Sequence, residues 1–302
     1  MKASKINHIN QLLDHIHFDG SNFSCRIFPN LGGSIQELII DDIDIIKGIS
    51  LDESGISEYL AKYQSAVLFP FPNRLEDGRY TFDGKSYEFP INNSETNNAI
   101  HGFLHDKAFE VAAISNNILK LQYNDRINKS FPFNYSFGLV YTLSRDQIKI
   151  QFSIENNGEH SLPFGLGWHP YFQLDTIEGS TLQFSADKKY TTTERLLPNG
   201  FEEYNNSIIQ IDKVSLDTAF NLTAPTVTLK TASYELRLQT PEDCYLQIYT
   251  PPDRQSIAIE PMTCIANAFN NGIGLKTVLP GEKYTWDINL NISTKHHDGV
   301  PQ

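Results

Sequence analysis

Residues 135–156 read Tyr135-Ser136-Phe137-Gly138-Leu139-Val140-Tyr141-Thr142-Leu143-Ser144-Arg145-Asp146-Gln147-Ile148-Lys149-Ile150-Gln151-Phe152-Ser153-Ile154-Glu155-Asn156. Two strand-like runs, 135–144 and 147–156, meet at a short turn around residues 144–146, and Asn156-Asn157-Gly158 supplies the next turn. Similar runs precede them at 109–115 and 117–124, and follow at 181–185, 207–213, 225–231, 233–239, 244–250 and 256–262. Further upstream, residues 23–28 lead through the turn Pro29-Asn30-Leu31-Gly32-Gly33 into an apolar run, 35–46. Asp41, Asp42 and Asp44 interrupt that run, so the region holds two or three strands. Asp83-Gly84 between residues 80–82 and 85–89 is a two-residue hairpin signal. Helical periodicity is scarce, and residues 56–64 form one short helix or a loop. After Leu279-Pro280-Gly281-Glu282 an alternating strand, 284–292, closes the ordered sequence.

Many short strands, frequent turns and no strand–helix–strand rhythm predict an all-β sandwich or barrel. With no internal repeat, linker or low-complexity block, one domain over 1–302 is expected. Its core covers about 23–292, and a polar tail follows from Ser293. The pair His296-His297 in that tail reads as a frayed end rather than a metal ligand.

The chain has 302 residues, 40% of them hydrophobic and 20% charged, which suits a large buried core. A net charge of −12 argues against nucleic acid as a partner, because its phosphates are repelled. Three widely spaced cysteines, Cys25, Cys244 and Cys264, suggest neither a zinc site nor a disulfide framework. No signal-peptide core is present at the N-terminus, and no stretch reaches the roughly eighteen apolar residues that span a bilayer. A cytoplasmic protein with no membrane partner is the expectation.

Residues 162–174, Leu162-Pro163-Phe164-Gly165-Leu166-Gly167-Trp168-His169-Pro170-Tyr171-Phe172-Gln173-Leu174, carry the first functional signal. Read as one extended strand, Leu162, Phe164, Leu166 and Trp168 share an apolar face. Pro163, Gly165 and Gly167 leave the other face bare until His169 and Tyr171. Glycine inside a strand marks close approach by a ligand or another backbone. The second signal is the strand around Glu260, where Ala258 and Glu260 face away from Ile257 and Ile259. A carboxylate there is costly if buried without a partner. Asn73 and Arg74 lie in a proline-bound segment, His101 in Ile100-His101-Gly102-Phe103, and Asp217 in Leu216-Asp217-Thr218. Each has a plainer reading alone: a solvated arginine, a core histidine, a turn-capping aspartate. Together they describe an uncharged-ligand site with imidazoles, carboxylates, a guanidinium and aromatic faces. No phosphate loop or metal spacing accompanies it. Such a set suits a sugar.

The motifs Pro72-Asn73-Arg74-Leu75 with Gly78, Ala99-Ile100-His101-Gly102-Phe103, Gly167-Trp168-His169-Pro170-Tyr171-Phe172, Leu216-Asp217-Thr218-Ala219-Phe220 and Ile259-Glu260-Pro261-Met262-Thr263 occur in this order. Asn267-Ala268-Phe269 and Leu279-Pro280-Gly281-Glu282 follow. In order and spacing the chain resembles the aldose 1-epimerase (galactose mutarotase-like) family from about Arg26 to Ile292. The resemblance implies a β-supersandwich of antiparallel sheets with a sugar cleft. It implies Glu260 as base and His169 as acid, with Arg74, His101, Asp217, Asn73 and Tyr171 binding substrate and no metal or cofactor. Trp168 stands where the galactose-specific branch usually has asparagine, so the resemblance names no preferred sugar. The implied reaction interconverts the anomers of a free aldohexose. His169 is cationic at the outset, Arg74 keeps Glu260 ionised, and a carboxylate such as Asp217 keeps a histidine protonated. Rivals on the same fold are a hexose-6-phosphate 1-epimerase, needing added basic residues such as Lys62, Arg79 or Lys107, and a non-catalytic carbohydrate-binding module. A glycoside hydrolase using Asp217 and Glu260 is a third. Residues 50–65 and 190–206 are expected as loops that set sugar preference. Oligomeric state is not encoded in any motif found.

Overall fold

A computed structural model of the chain describes residues 1–125 and 128–295; the His296-His297 pair lies outside them. The hairpin reading of residues 135–156 is realised by strands Tyr135–Leu143 and Gln147–Asn156, paired antiparallel from Tyr135 opposite Asn156 to Leu143 opposite Ile148. Tyr135, Phe137, Leu139, Tyr141 and Leu143 are buried, as are Ile148, Ile150, Phe152 and Ile154, while the residues between them are more open. The two-residue pleat thus sorts the sequence into a core face and an outer face.

This hairpin sits within a 15-stranded sheet whose main path, in spatial order, begins with Glu110–Ile114, Ile118–Asp125, Tyr135–Leu143 and Gln147–Asn156. It continues through Lys283–Thr294, Tyr234–Gln239, Asp217–Lys230, Tyr245–Tyr249, Ser256–Met262, Gly167–His169 and Ala66–Leu68. A five-stranded antiparallel sheet, Lys2–Ile6, His15–Gly20, Phe23–Phe28, Ser34–Ile40 and Ile43–Ile46, packs against it. Phe18, Ile27 and Leu38 of the smaller sheet share one hydrophobic core with Leu139, Phe152 and Trp286 of the larger. The all-β supersandwich expectation holds. The expected start of the core near residue 23 falls short, because Leu13, Ile16 and Phe18 are buried. Strand Lys2–Ile6 was hidden by its polar, lysine-bearing sequence and His15–Gly20 by its two histidines and Asp19.

Residues 53–62 form a helix, Glu53–Lys62, capped by the Asp52 carboxylate accepting from the Gly55 N–H at 3.0 Å. Residues 190–206 differ from the loop expected: strands Thr181–Thr192 and Pro198–Glu203 form a hairpin there. All three cysteines are buried and unpaired. No helix among the described residues is long and apolar enough to cross a membrane.

The largest departure concerns residues 162–174. They form three short strands, Leu162–Phe164, Gly167–His169 and Tyr171–Gln173, not one. The first pairs with Lys276–Val278, the second with Ala66–Leu68, and the third with Ser256–Met262. Pro163 and Pro170 offer no N–H to a ladder. Leu166 instead donates to the Thr263 hydroxyl at 2.9 Å. The face expected to be bare is filled by protein. A Cβ on Gly165 would lie 2.3 Å from Cys264 Sγ and 2.8 Å from Pro72 Cδ, and one on Gly167 would lie 3.0 Å from Pro72 Cβ. The glycines make a recess for Pro72, and the next two residues are Asn73 and Arg74.

Candidate active site

Seating Pro72 in that recess delivers Asn73 and Arg74 to the edge of a cavity of about 660 Å³. Asn73, Arg74, His101, His169, Tyr171, Asp217 and Glu260 all line it, so every site residue expected from sequence converges there. The floor is made by His169 and Glu260, which are 5% and 2% exposed. Nε2 of His169 lies 3.4 Å from Oε1 of Glu260. Glu260 sits inside the strand Ser256–Met262, two residues short of its end, and not on the surface. Its Oε2 and the His169 Nδ1 have no hydrogen-bond partner among the described residues.

The His169 backbone is clamped from the strand Ala66–Leu68 side: the Ser65 N–H donates to the His169 carbonyl at 2.8 Å, and the Trp168 indole N–H donates to the Ser65 carbonyl at 3.2 Å. Its ring stacks on Tyr171 at 4.9 Å between centroids and meets the edge of His101 at 5.2 Å.

His101 has a fixed tautomer. Its Nδ1 accepts the Asn73 backbone N–H at 3.1 Å, and the His101 backbone N–H donates to the Asn73 carbonyl at 2.9 Å. With Nδ1 occupied as an acceptor, the ring proton is on Nε2. His101 has φ of +64°, and Gly102 follows at +65°, where a Cβ would strike the Phe69 carbonyl oxygen at 2.1 Å. Tyr63, Ser65, Asn73 and Asn267 also hold left-handed backbone, with φ of 55°, 55°, 56° and 62°. Asn267 fixes the arginine-bearing strand, its N–H donating to the Arg74 carbonyl at 2.6 Å.

Sequence reasoning missed Gln247. It is 4% exposed, accepts from the Asn73 amide at 3.3 Å and donates to the Asp217 carboxylate at 2.6 Å. It also stands opposite Glu260 in the strand register. The signal was the alternation Tyr245, Gln247, Tyr249 against Leu246 and Ile248, a polar stripe on a strand whose other face is core. Tyr63 was missed too; its ring packs on His101 at 4.7 Å. The end of the helix Glu53–Lys62 and the residues after it line the cavity, whereas Tyr190, Thr192, Leu196 and Pro198 lie behind Arg74 and Asp217 around a smaller space.

Burial reverses the protonation expected from neighbouring charges. Glu260 is pushed well above the ordinary carboxylate range by burial, with Asp217 adding and Arg74 opposing. His169 is pulled down to about 4 by burial, only partly offset by the proximity of its own backbone. His101 is lowered well below its ordinary value by burial, then by His169 and Arg74. Burial therefore favours the neutral forms of both groups on the cavity floor, a neutral His169 and a Glu260 carboxyl that holds its proton to higher pH than an ordinary carboxylate. Removing charged groups from water outweighs one guanidinium nearby.

The sequence model of the aldose 1-epimerase family matches residues 14–291 of the chain. The uncharacterized protein YihR of Escherichia coli strain K12 is 27% identical over 239 residues, 74% of this chain and 77% of that protein. The galactose mutarotase of Sus scrofa is 28% identical over 167 residues, 52% of this chain and 46% of that enzyme. Among solved structures, a galactose mutarotase-like protein from Clostridium acetobutylicum superposes with a TM-score of 0.84 at 22% identity, covering 97% of this chain and 99% of that one.

Proposed function

The chain belongs to the aldose 1-epimerase family, and we propose that it interconverts the α and β anomers of a free aldohexose by acid–base ring opening and closure. The carrying observation is the 3.4 Å approach of His169 Nε2 to Glu260 Oε1 on the cavity floor. One proton shared by that pair suffices, without a cofactor. Moving it from Glu260 to His169 creates carboxylate and imidazolium. Glu260 then takes the O1 proton, the C1–O1 double bond forms as C1–O5 breaks, and His169 protonates O5. The open aldehyde turns about C1–C2. O5 attacks the other face, His169 recovers its proton, and Glu260 returns one to O1. The His101 Nε2–H and the Arg74 guanidinium stabilise charge developing on the ring oxygen, and Asp217, held by Gln247, accepts sugar hydroxyls.

A free sugar is favoured over a phosphorylated one by the charges around the cavity. Lys47, Lys62 and Arg74 share the lining with Glu58, Asp217 and Asp253, and Lys62 is tied to Glu58 at 2.8 Å. The other phosphate candidates, Arg79 and Lys107, do not line it. A purely binding module has no use for a buried carboxyl with an unpartnered oxygen, and a two-carboxylate hydrolase leaves His169 without a role.

Polarimetry on freshly dissolved α-glucose, α-galactose and glucose 6-phosphate tests this. Acceleration of a free hexose is expected, with Glu260→Gln and His169→Asn each lowering kcat by about 10²–10⁴-fold. Wild-type rates from both variants would refute the assignment, and a preference for the phosphate would move it to the phosphorylated substrate.

A further inference from the structure

Arg74 and His101 reach the cavity on a narrow ribbon. Strands Arg74–Glu76 and Asn98–Ile100 form a two-stranded sheet, with Ile100 opposite Arg74 and Asn98 opposite Glu76, and His101 follows directly. Two paired strands are marginal in water by themselves, so the ribbon needs support from outside. Arg74 supplies little of it. Its guanidinium donates to the side-chain oxygen of its chain neighbour Asn73 at 3.1 Å, and its buried Nε has no hydrogen-bond partner among the described residues.

The support comes from Arg195, in the turn between strands Thr181–Thr192 and Pro198–Glu203. Thr193 closes that turn: its N–H donates to the Leu197 carbonyl at 2.9 Å, and its hydroxyl accepts the Arg195 N–H at 3.2 Å. The Arg195 guanidinium then spreads over both ribbon strands. Its Nε donates to the Thr96 carbonyl at 2.9 Å. One terminal nitrogen reaches the Asp77 carboxylate at 2.6 Å, the Asn97 carbonyl at 2.9 Å and the Asn98 side-chain oxygen at 3.2 Å. The other pairs with Oε1 of Glu76 at 3.5 Å. Asn98, fully buried, donates back to the Arg195 carbonyl at 3.0 Å. A single exposed ion pair contributes little. A planar fork shared among five acceptors fixes a geometry that no point charge can.

Two routes lead from this clamp to Arg74. Glu76 passes it on through Oε2, which accepts from the Asn267 amide at 3.4 Å, and the Asn267 N–H holds the Arg74 carbonyl at 2.6 Å. From behind, Leu196 and Pro198 wall a space of about 20 Å³ whose other side is Arg74, Asp217 and Gln247. That space has room for about one water and none for a sugar ring. The turn therefore does not meet the substrate; it sets the groups that do.

We propose that Arg195 is a positioning residue for ring opening, acting through Arg74; this rests on the anomer-exchange reading above. Arg74 acts on charge that develops as the ring opens, so a misplaced guanidinium lowers kcat more than it raises KM.

The test is a double-mutant cycle of Arg195→Ala and Arg74→Ala, read by polarimetry on fresh α-glucose and α-galactose at raised enzyme concentration. Arg195→Ala is expected to lower kcat about tenfold with KM nearly unchanged, and to cost less than about twofold once Arg74 is already alanine. Amide hydrogen exchange gives a second readout without a sugar: Asn73, His101 and Asn267 should exchange faster in Arg195→Ala, with Ile150 and Phe152 of the 135–156 hairpin unchanged. Arg195→Lys keeps the charge and loses the fork. It goes through the same cycle with the same pattern expected at smaller size, so a folding failure of the alanine variant leaves the test intact. A wild-type kcat in Arg195→Ala, an equal loss on both Arg74 backgrounds, or unchanged exchange along the ribbon overturns the proposal. If the wild type accelerates neither sugar, the anomer-exchange reading fails, and amide exchange alone decides whether Arg195 holds the ribbon.

Discussion

The hairpin Tyr135–Leu143 with Gln147–Asn156 and the broken run 162–173 both alternate in sequence, yet they fold differently. The hairpin keeps one register over its whole length, and its inward residues enter a continuous core. The broken run takes three different strand partners in a dozen residues. Regular pairing satisfies the backbone and buries area. Irregular pairing gives up some of that to bring Asn73, Arg74, His169 and Tyr171 into one cavity. Stability and chemistry are thus assigned to different parts of one sheet system.

The sharpest way to break this division is a pair of core substitutions. Ile150→Ala, at a fully buried hairpin position, should cost about 2–5 kcal/mol of stability. The folded enzyme should keep its kcat/KM, and a urea titration alongside an activity assay checks both. Gly165→Ala should cost less, about 1–3 kcal/mol, yet lower kcat/KM severalfold. Its methyl displaces Pro72 and with it Arg74. Equal behaviour of these two variants would erase the distinction.

Glu260→Gln sharpens it from the other side. Between pH 4.5, ordinary for a glutamate, and the raised value in the folded protein, the folded state keeps a proton that the unfolded chain has released. Wild-type stability therefore falls as pH rises through that window. His169 acts oppositely: lowered from 6.5 to about 4, it makes stability rise with pH between those values. The two slopes oppose each other where the windows overlap, from about 4.5 upward. Glu260→Gln should therefore be more stable than wild type by a margin that grows with pH, at most about 1.4 kcal/mol per unit. Thermal melts from pH 5 to 8 measure it, and a margin independent of pH would contradict a buried, titrating carboxyl. The smallest effect belongs to the hairpin's outer face. Lys149→Ala removes a half-exposed pair with Asp287 at 3.3 Å and should change stability by about 0.5 kcal/mol or less, with activity untouched.

Much of the fold was legible, since alternation and turn residues are local: the 135–156 hairpin and the Asp83-Gly84 turn needed no tertiary information. The candidate site was legible as a set of residues because polar groups stood where strand faces were otherwise apolar. Its protonation was not. How far Glu260 and His169 lie from water depends on registers between strands far apart in sequence, such as Gln247 opposite Glu260. The same registers concealed Gln247, an ordinary-looking glutamine until Asn73 and Asp217 flank it. The recess under Gly165 and Gly167 also misled, because a stripped strand face leaves equal room for a ligand and for Pro72.

Five residues around or behind the cavity, Tyr63, Ser65, Asn73, His101 and Asn267, hold left-handed backbone without being glycine. Each such conformation costs about 1 kcal/mol or more and persists only where surrounding contacts over-determine it. That expense is met when the chain folds. A ligand arriving at this rim finds its shape already settled, and association takes little further freedom from the protein.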